Sequence, residues 1–165
     1  MNFRSLILGF LAALGFVCSV HAHHGWGGYD TGRPLYLEGT VTKVHWRNPH
    51  PELVIEVAAT PPRADPANVP VPPELESIGF RDVLAKAQAP EHGGRYTLDL
   101  APIGRLANWG MSAAPRRGER IIAVAFPSCS EAGSVRPAVI VLANGGAVRQ
   151  QSVDLPAGCS GAPRG

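Results

Sequence analysis

The chain has 165 residues, with 15 Lys plus Arg against 13 Asp plus Glu, a formal net charge of +2, and 45% hydrophobic residues. That length suits one domain with a core of useful size. So even a charge balance excludes the strong basic field that nucleic acid or an acidic membrane surface would select for.

Taken from the start, Met1 to Arg4 supplies a short positive segment, Leu6 to Val17 an apolar run, and Val20-His21-Ala22 a signal-peptidase site. Residues 1–22 therefore read as a signal peptide cleaved after Ala22, leaving 23–165 as a single domain in the periplasm or outside the cell. The apolar run, at about 12 residues, falls short of the roughly 20 that a helix needs to cross a bilayer, so no stable membrane insertion is expected after cleavage. Val17 before Cys18 is too bulky for lipoprotein processing. Cleavage would make His23 the first residue, pairing a free amine with an imidazole.

Gly25 to Arg33 carries no periodic apolar pattern and reads as an extended, partly flexible lead-in. Leu35 to Trp46 alternates β-branched and aromatic residues, which predicts a long strand with a bulge or bend at Gly39. Asn48-Pro49-His50-Pro51 breaks the pattern as a tight turn, and Glu52 to Ala58 resumes it, so that a hairpin carries His50 at its connection. Thr60 to Pro73 holds six prolines in 14 residues and predicts an exposed excursion of polyproline character. Glu74 to Ala89 has helical spacing interrupted by Gly79, a short or broken helix; together these form an insert over about 60–91.

Arg95 to Leu100 predicts a third strand, Ile103 to Trp109 one or two helical turns after Pro102, and Arg120 to Phe126 a nearly continuous apolar strand. Ala138 to Leu142 and Ala147 to Val153 flank Asn144-Gly145-Gly146, a hairpin signal. The order of elements predicts an all-β fold with a short helix, a small closed or partly open barrel of the oligonucleotide/oligosaccharide-binding type, with a β-sandwich as the alternative.

Four of the five histidines downstream of the cleavage site, His23, His24, His45 and His50, lie close together in sequence. The amine and ring of His23 with a second imidazole form a donor set suited to cupric ion. His50 is the preferred distal ligand because its turn is rigid; His24 is an accessory, and His45 could point to the same end. Two cysteines remain after processing, Cys129 and Cys159, and an even count in an exported chain points to one disulfide. Trp26 and Trp46 stand close to the histidines and offer either core packing or a wall for a ligand. No Gly-x-Ser-x-Gly elbow, phosphate loop, dinucleotide fingerprint, or Cys-x-x-Cys pair occurs, so no catalytic residue is assigned.

The segments Ala22-His23-His24-Gly25-Trp26, Leu37-Glu38-Gly39-Thr40-Val41-Thr42-Lys43-Val44 and Trp46-Arg47-Asn48-Pro49-His50 resemble the family catalogued as domain of unknown function 6152. Its members are small exported bacterial proteins that open with Ala-His-His, continue into a Gly-Thr-Val strand and reach Asn-Pro-His. Arg105 to Gly110 is similar to the family's short helix ending in Gly-Trp, with the order reversed. The Pro-rich insert departs from the family's compact form. The family has no established activity; the resemblance implies export, a small β fold, and His23, His24 and His50 as one group. The expectation is thus an exported copper-binding β-barrel protein without catalytic turnover. The alternative is a binding module that presents Trp26 and Trp46 to a glycan, peptide or envelope partner.

Overall fold

Period-2 alternation and turn residues place six strands: β1 (Leu35–His45), β2 (Glu52–Val57), β3 (Gly94–Asp99), β4 (Arg120–Pro127), β5 (Ser134–Val141) and β6 (Ala147–Arg149). The computed structural model describes residues 25–156, 158 and 159; the leader assigned to 1–22 lies outside the described residues, as do His23 and His24. Among the described residues, three short α-helices accompany the strands, α1 (Pro73–Glu76), α2 (Phe80–Leu84) and α3 (Ile103–Asn108).

The strands lie in the order β3-β2-β1-β4-β5-β6, each antiparallel to its neighbour. A parallel pairing of β3 with β5, Thr97 opposite Ser134 and Leu98 opposite Val135, closes the first five into a barrel. That closure, with α3 between β3 and β4, is the expected barrel, and it excludes a sandwich, in which two separate sheets would face each other. β5 begins at Ser134, earlier than its apolar run suggests, because Ser134 and Val135 supply the parallel seam. β6 ends at Arg149, where the Gln150 side chain turns to accept the Ala101 N–H at 3.1 Å.

Leu37, Val41, Leu53, Ile55, Leu98 and Ile140 fill the interior, and Leu106 and Met111 close it from α3 and its exit. Gly39 is not the bulge. A Cβ there would stand 2.8 Å from the Glu56 carbonyl oxygen, so this glycine marks the close crossing of β1 over β2. The register slips two residues later: Val41 faces Ile55 and Lys43 faces Val54, leaving Thr42 as the extra residue. The slip reverses parity along the end of β1, so Val44 and Trp46 pack toward the interior while His45 turns to solvent.

The proline-rich part of the insert is largely exposed, with Val69 its one buried residue, whereas the broken helix after it packs on the barrel. Val69, Leu75, Phe80 and Leu84 form a second core with Tyr36, Val124, Phe126 and Val139 on the outside of the barrel. Helical pieces this short have no stability of their own; they persist because their apolar face is buried. Gly79, with φ of 73°, makes the break between α1 and α2. The lead-in is also ordered. Trp26–Gly28 forms a 3-10 turn, the Asp30 N–H donates to the Pro127 carbonyl at 2.8 Å, and the Cys129 N–H donates to the Gly28 carbonyl at 2.9 Å.

Candidate functional site

The β1–β2 connection is fastened to the joint between β3 and α3 at two points. The Ile103 N–H donates to the Asn48 side-chain oxygen at 3.0 Å, and the Leu100 N–H donates to the Pro51 carbonyl at 3.0 Å. The Asn48–Pro49 peptide is cis. This anchorage brings His50 over the end of β3, with its Nδ1 3.9 Å from Asp99 Oδ1. That is ion-pair range and longer than a hydrogen bond.

Asp99 is the hub of a larger cluster. Its Oδ2 accepts the Tyr29 hydroxyl at 3.0 Å and Arg136 Nη1 at 2.9 Å. The Arg136 guanidinium in turn covers two rings of the arm, 5.1 Å from the Trp26 centroid and 5.7 Å from that of Tyr29. These are cation–π distances. Trp26 meets Phe126 edge to face at 5.8 Å. The arm, the hairpin turn and β5 thus converge on one carboxylate that is 20% exposed.

Burial, followed by the adjacent Asp99 charge, pushes the Tyr29 phenol from its ordinary 10.0 up to about 12. A raised acid of this kind contributes stability in full below pH 10, and the contribution drains away as pH rises toward 12, because the unfolded chain has by then released its proton. Wild type is therefore expected to lose unfolding free energy over that window more steeply than Tyr29→Phe. Denaturant midpoints measured along an alkaline series read the difference; parallel curves for the two proteins would contradict it.

His45 is not brought to the same place. It sits opposite Glu52, which sits opposite Asp99, so it lies two strand spacings from that carboxylate, roughly 10 Å. His92 is an exposed loop residue whose carbonyl accepts the Tyr96 hydroxyl at 2.9 Å. Trp26 and Trp46 do not form an exposed pair: the first belongs to the outer core and the second packs on the inner one. A separate open cleft of about 640 Å³ lies between the lead-in, the end of the insert and the β4–β5 connection, with Arg33, Lys86, His92 and Tyr96 on its walls. Among the described residues, no three His, Cys, Asp or Glu side chains converge as a ready set of metal ligands.

Cys129 and Cys159 form the disulfide that their number suggests, with Cα atoms 5.6 Å apart. It holds the tail across the arm, where the Thr31 hydroxyl donates to the Pro156 carbonyl at 2.7 Å and the Cys159 N–H approaches the Tyr29 carbonyl at 3.5 Å. Among the described residues, no helix is long and apolar enough to cross a membrane.

Sequence reasoning missed Tyr29, Asp99 and Arg136. Asp99 reads locally as a solvated acid at the end of a strand, and its partners stand 70 and 37 positions away. No short-range pattern announces them.

No curated protein and no solved structure matches the chain. The model of a family of unknown function, DUF6152, matches residues 12–66, a stretch that includes the motifs from Ala22 to His50.

Proposed function

We propose that the processed protein is an exported copper-binding barrel in which the α-amine and ring of His23, with the ring of His50, form the chelate and His24 is an accessory. The observation that carries this reading is the unbroken series of contacts from Trp26 through Arg136 and Asp99 to His50. His23 precedes Trp26 by three residues, a length of chain that reaches at most about 11 Å. Nitrogen donors of this type favour cupric ion, and the disulfide accords with an oxidising compartment.

The test compares protein beginning at His23 with the same protein carrying one additional residue ahead of it, and with His50→Ala. The extension turns the amine into an amide and removes its lone pair from the donor set. Each change is expected to weaken cupric binding at least tenfold, about 1.4 kcal/mol, in a competition titration against a chelator of known strength. Equal affinity of the extended and processed proteins would remove the chelate.

A further inference from the structure

We propose that the cleft between the lead-in, the end of the insert and the β4–β5 connection binds an extended peptide of mixed charge. Its acidic side chain meets Arg33 and Lys86, its basic one meets Glu131, and its apolar ones lie on Leu35 and Tyr96. The proposal is independent of the copper reading, since none of these residues belongs to that chelate.

Leu35 and Tyr96 are half-buried side chains that pack on the inner core and also line the cleft, so this cavity of about 640 Å³ reaches the end of the barrel interior. That volume is ordinary for a ligand site, and the mouth of a barrel is a common place for one. The walls are fastened from within. The Arg33 N–H donates to the Asp30 carbonyl at 3.1 Å, and the Thr97 N–H donates to the Gly133 carbonyl at 2.8 Å. The Ser128 hydroxyl oxygen accepts the Glu131 N–H at 3.2 Å. A site that is already ordered loses little binding free energy to being ordered by its ligand.

Charge on the rim selects the occupant. Lys86 and Glu131 are exposed on the same cleft, and among the described residues neither takes part in an ion pair. Arg33 reaches only Asp30, at 3.7 Å. A simple anion would meet the two cations but be repelled by Glu131 and by Glu91, which also lines the cleft. A simple cation would meet the reverse, and a neutral glycan would leave both signs unmatched. A polypeptide carries both.

The backbone supplies a further match. Gln88 lies beside Leu35 in a parallel bridge, its N–H donating to the Pro34 carbonyl at 3.1 Å and its carbonyl accepting the Tyr36 N–H at 2.7 Å. A trans peptide sets its N–H and C=O on opposite sides, so the Ala87 carbonyl and the Ala89 N–H both point away from β1. Among the described residues neither has a backbone partner, and Ala89 lines the cleft. An acceptor and a donor on one strand edge are what an added strand takes up, while its alternate side chains supply specificity.

The test titrates ¹⁵N-labelled protein with the blocked peptide acetyl-Glu-Leu-Thr-Leu-Lys-amide, beside relatives in which both charged residues are Glu or both are Lys. The mixed peptide is expected to shift the amides of Gln88, Ala89, His92 and Gly133, with the Ala89 proton moving downfield as it gains an acceptor. It should bind about fivefold more tightly than either relative, the scale of an exposed ion pair. Glu131→Lys, a change at an exposed side chain, should transfer the preference to the all-acidic peptide, which a general loss of structure would not do. No shift at these amides up to about 1 mM peptide, shifts confined to another face, or an unchanged preference in Glu131→Lys would overturn the proposal. Tighter binding of the all-acidic peptide by wild type would also overturn it, marking a site for simple anions.

Discussion

Replacing Phe80 by alanine is expected to lower the unfolding free energy by about 3–5 kcal/mol, which places this insert residue among the main determinants of stability. Phe80 is fully buried at the start of α2, where it packs with Leu75 and Leu84 against Tyr36, Val124 and Phe126 on the outer face of the barrel. The loss combines two parts. The apolar area of the ring returns to water, and a cavity is left that two rigid elements cannot close, because the β1–β4 ladder fixes one wall and Gly79 fixes the entry to α2. Urea unfolding followed by far-UV circular dichroism reads the change. A loss under about 1 kcal/mol would mean that the insert opens separately from the barrel, since a locally unfolding segment contributes little to global stability.

The second large effect concerns the disulfide. Cys129 and Cys159 stand 30 positions apart, and closing a loop of that length contributes about 3.5 kcal/mol in the chain-entropy treatment. A Cys129→Ser/Cys159→Ser protein should unfold at correspondingly lower denaturant. A further consequence separates this bond from a simple staple. The bond holds the tail over Gly28 to Thr31, so its loss should also raise amide exchange at Tyr29 and Asp30 under native conditions. Unchanged exchange there, with stability alone reduced, would show that the arm is held from the barrel side only.

Much of the barrel was legible because its determinants are local. Alternation from Leu35, the Asn-Pro-His-Pro break, the Asn-Gly turn and the proline before α3 each specify one element without reference to distant chain. The outer layer was less legible, although one signal was present. β4 is apolar at both parities from Ile121 to Phe126, which a strand requires only if both of its faces are covered. Reading that run together with Leu75, Phe80 and Leu84 would have placed the insert against the barrel. Prolines concealed the link, since they preclude regular structure without precluding packing.

The site was legible in one half. His50 stood out because a rigid turn carries it. The reversal of parity at Thr42, which turns His45 away, depends on a pairing slip between strands and leaves no mark in β1 alone. Asp99, Arg136 and Tyr29 meet only because the barrel closes between β3 and β5, and that closure joins segments far apart in sequence. Charge pairs of this kind are recovered from topology, not from spacing.

The lead-in runs beneath a strap. Residues 28–31 lie between the β4–β5 connection on one side and the tail secured by Cys159 on the other. Synthesis delivers these pieces in the reverse of the order that assembly requires, since the segment to be seated is made first and its seat and strap afterwards. The groove for Trp26 and Tyr29 must therefore stay open until the last third of the polypeptide has folded, and contacts spanning that distance form slowly. The arm thus takes its final shape as the closing event of folding, after the pieces that hold it are in place.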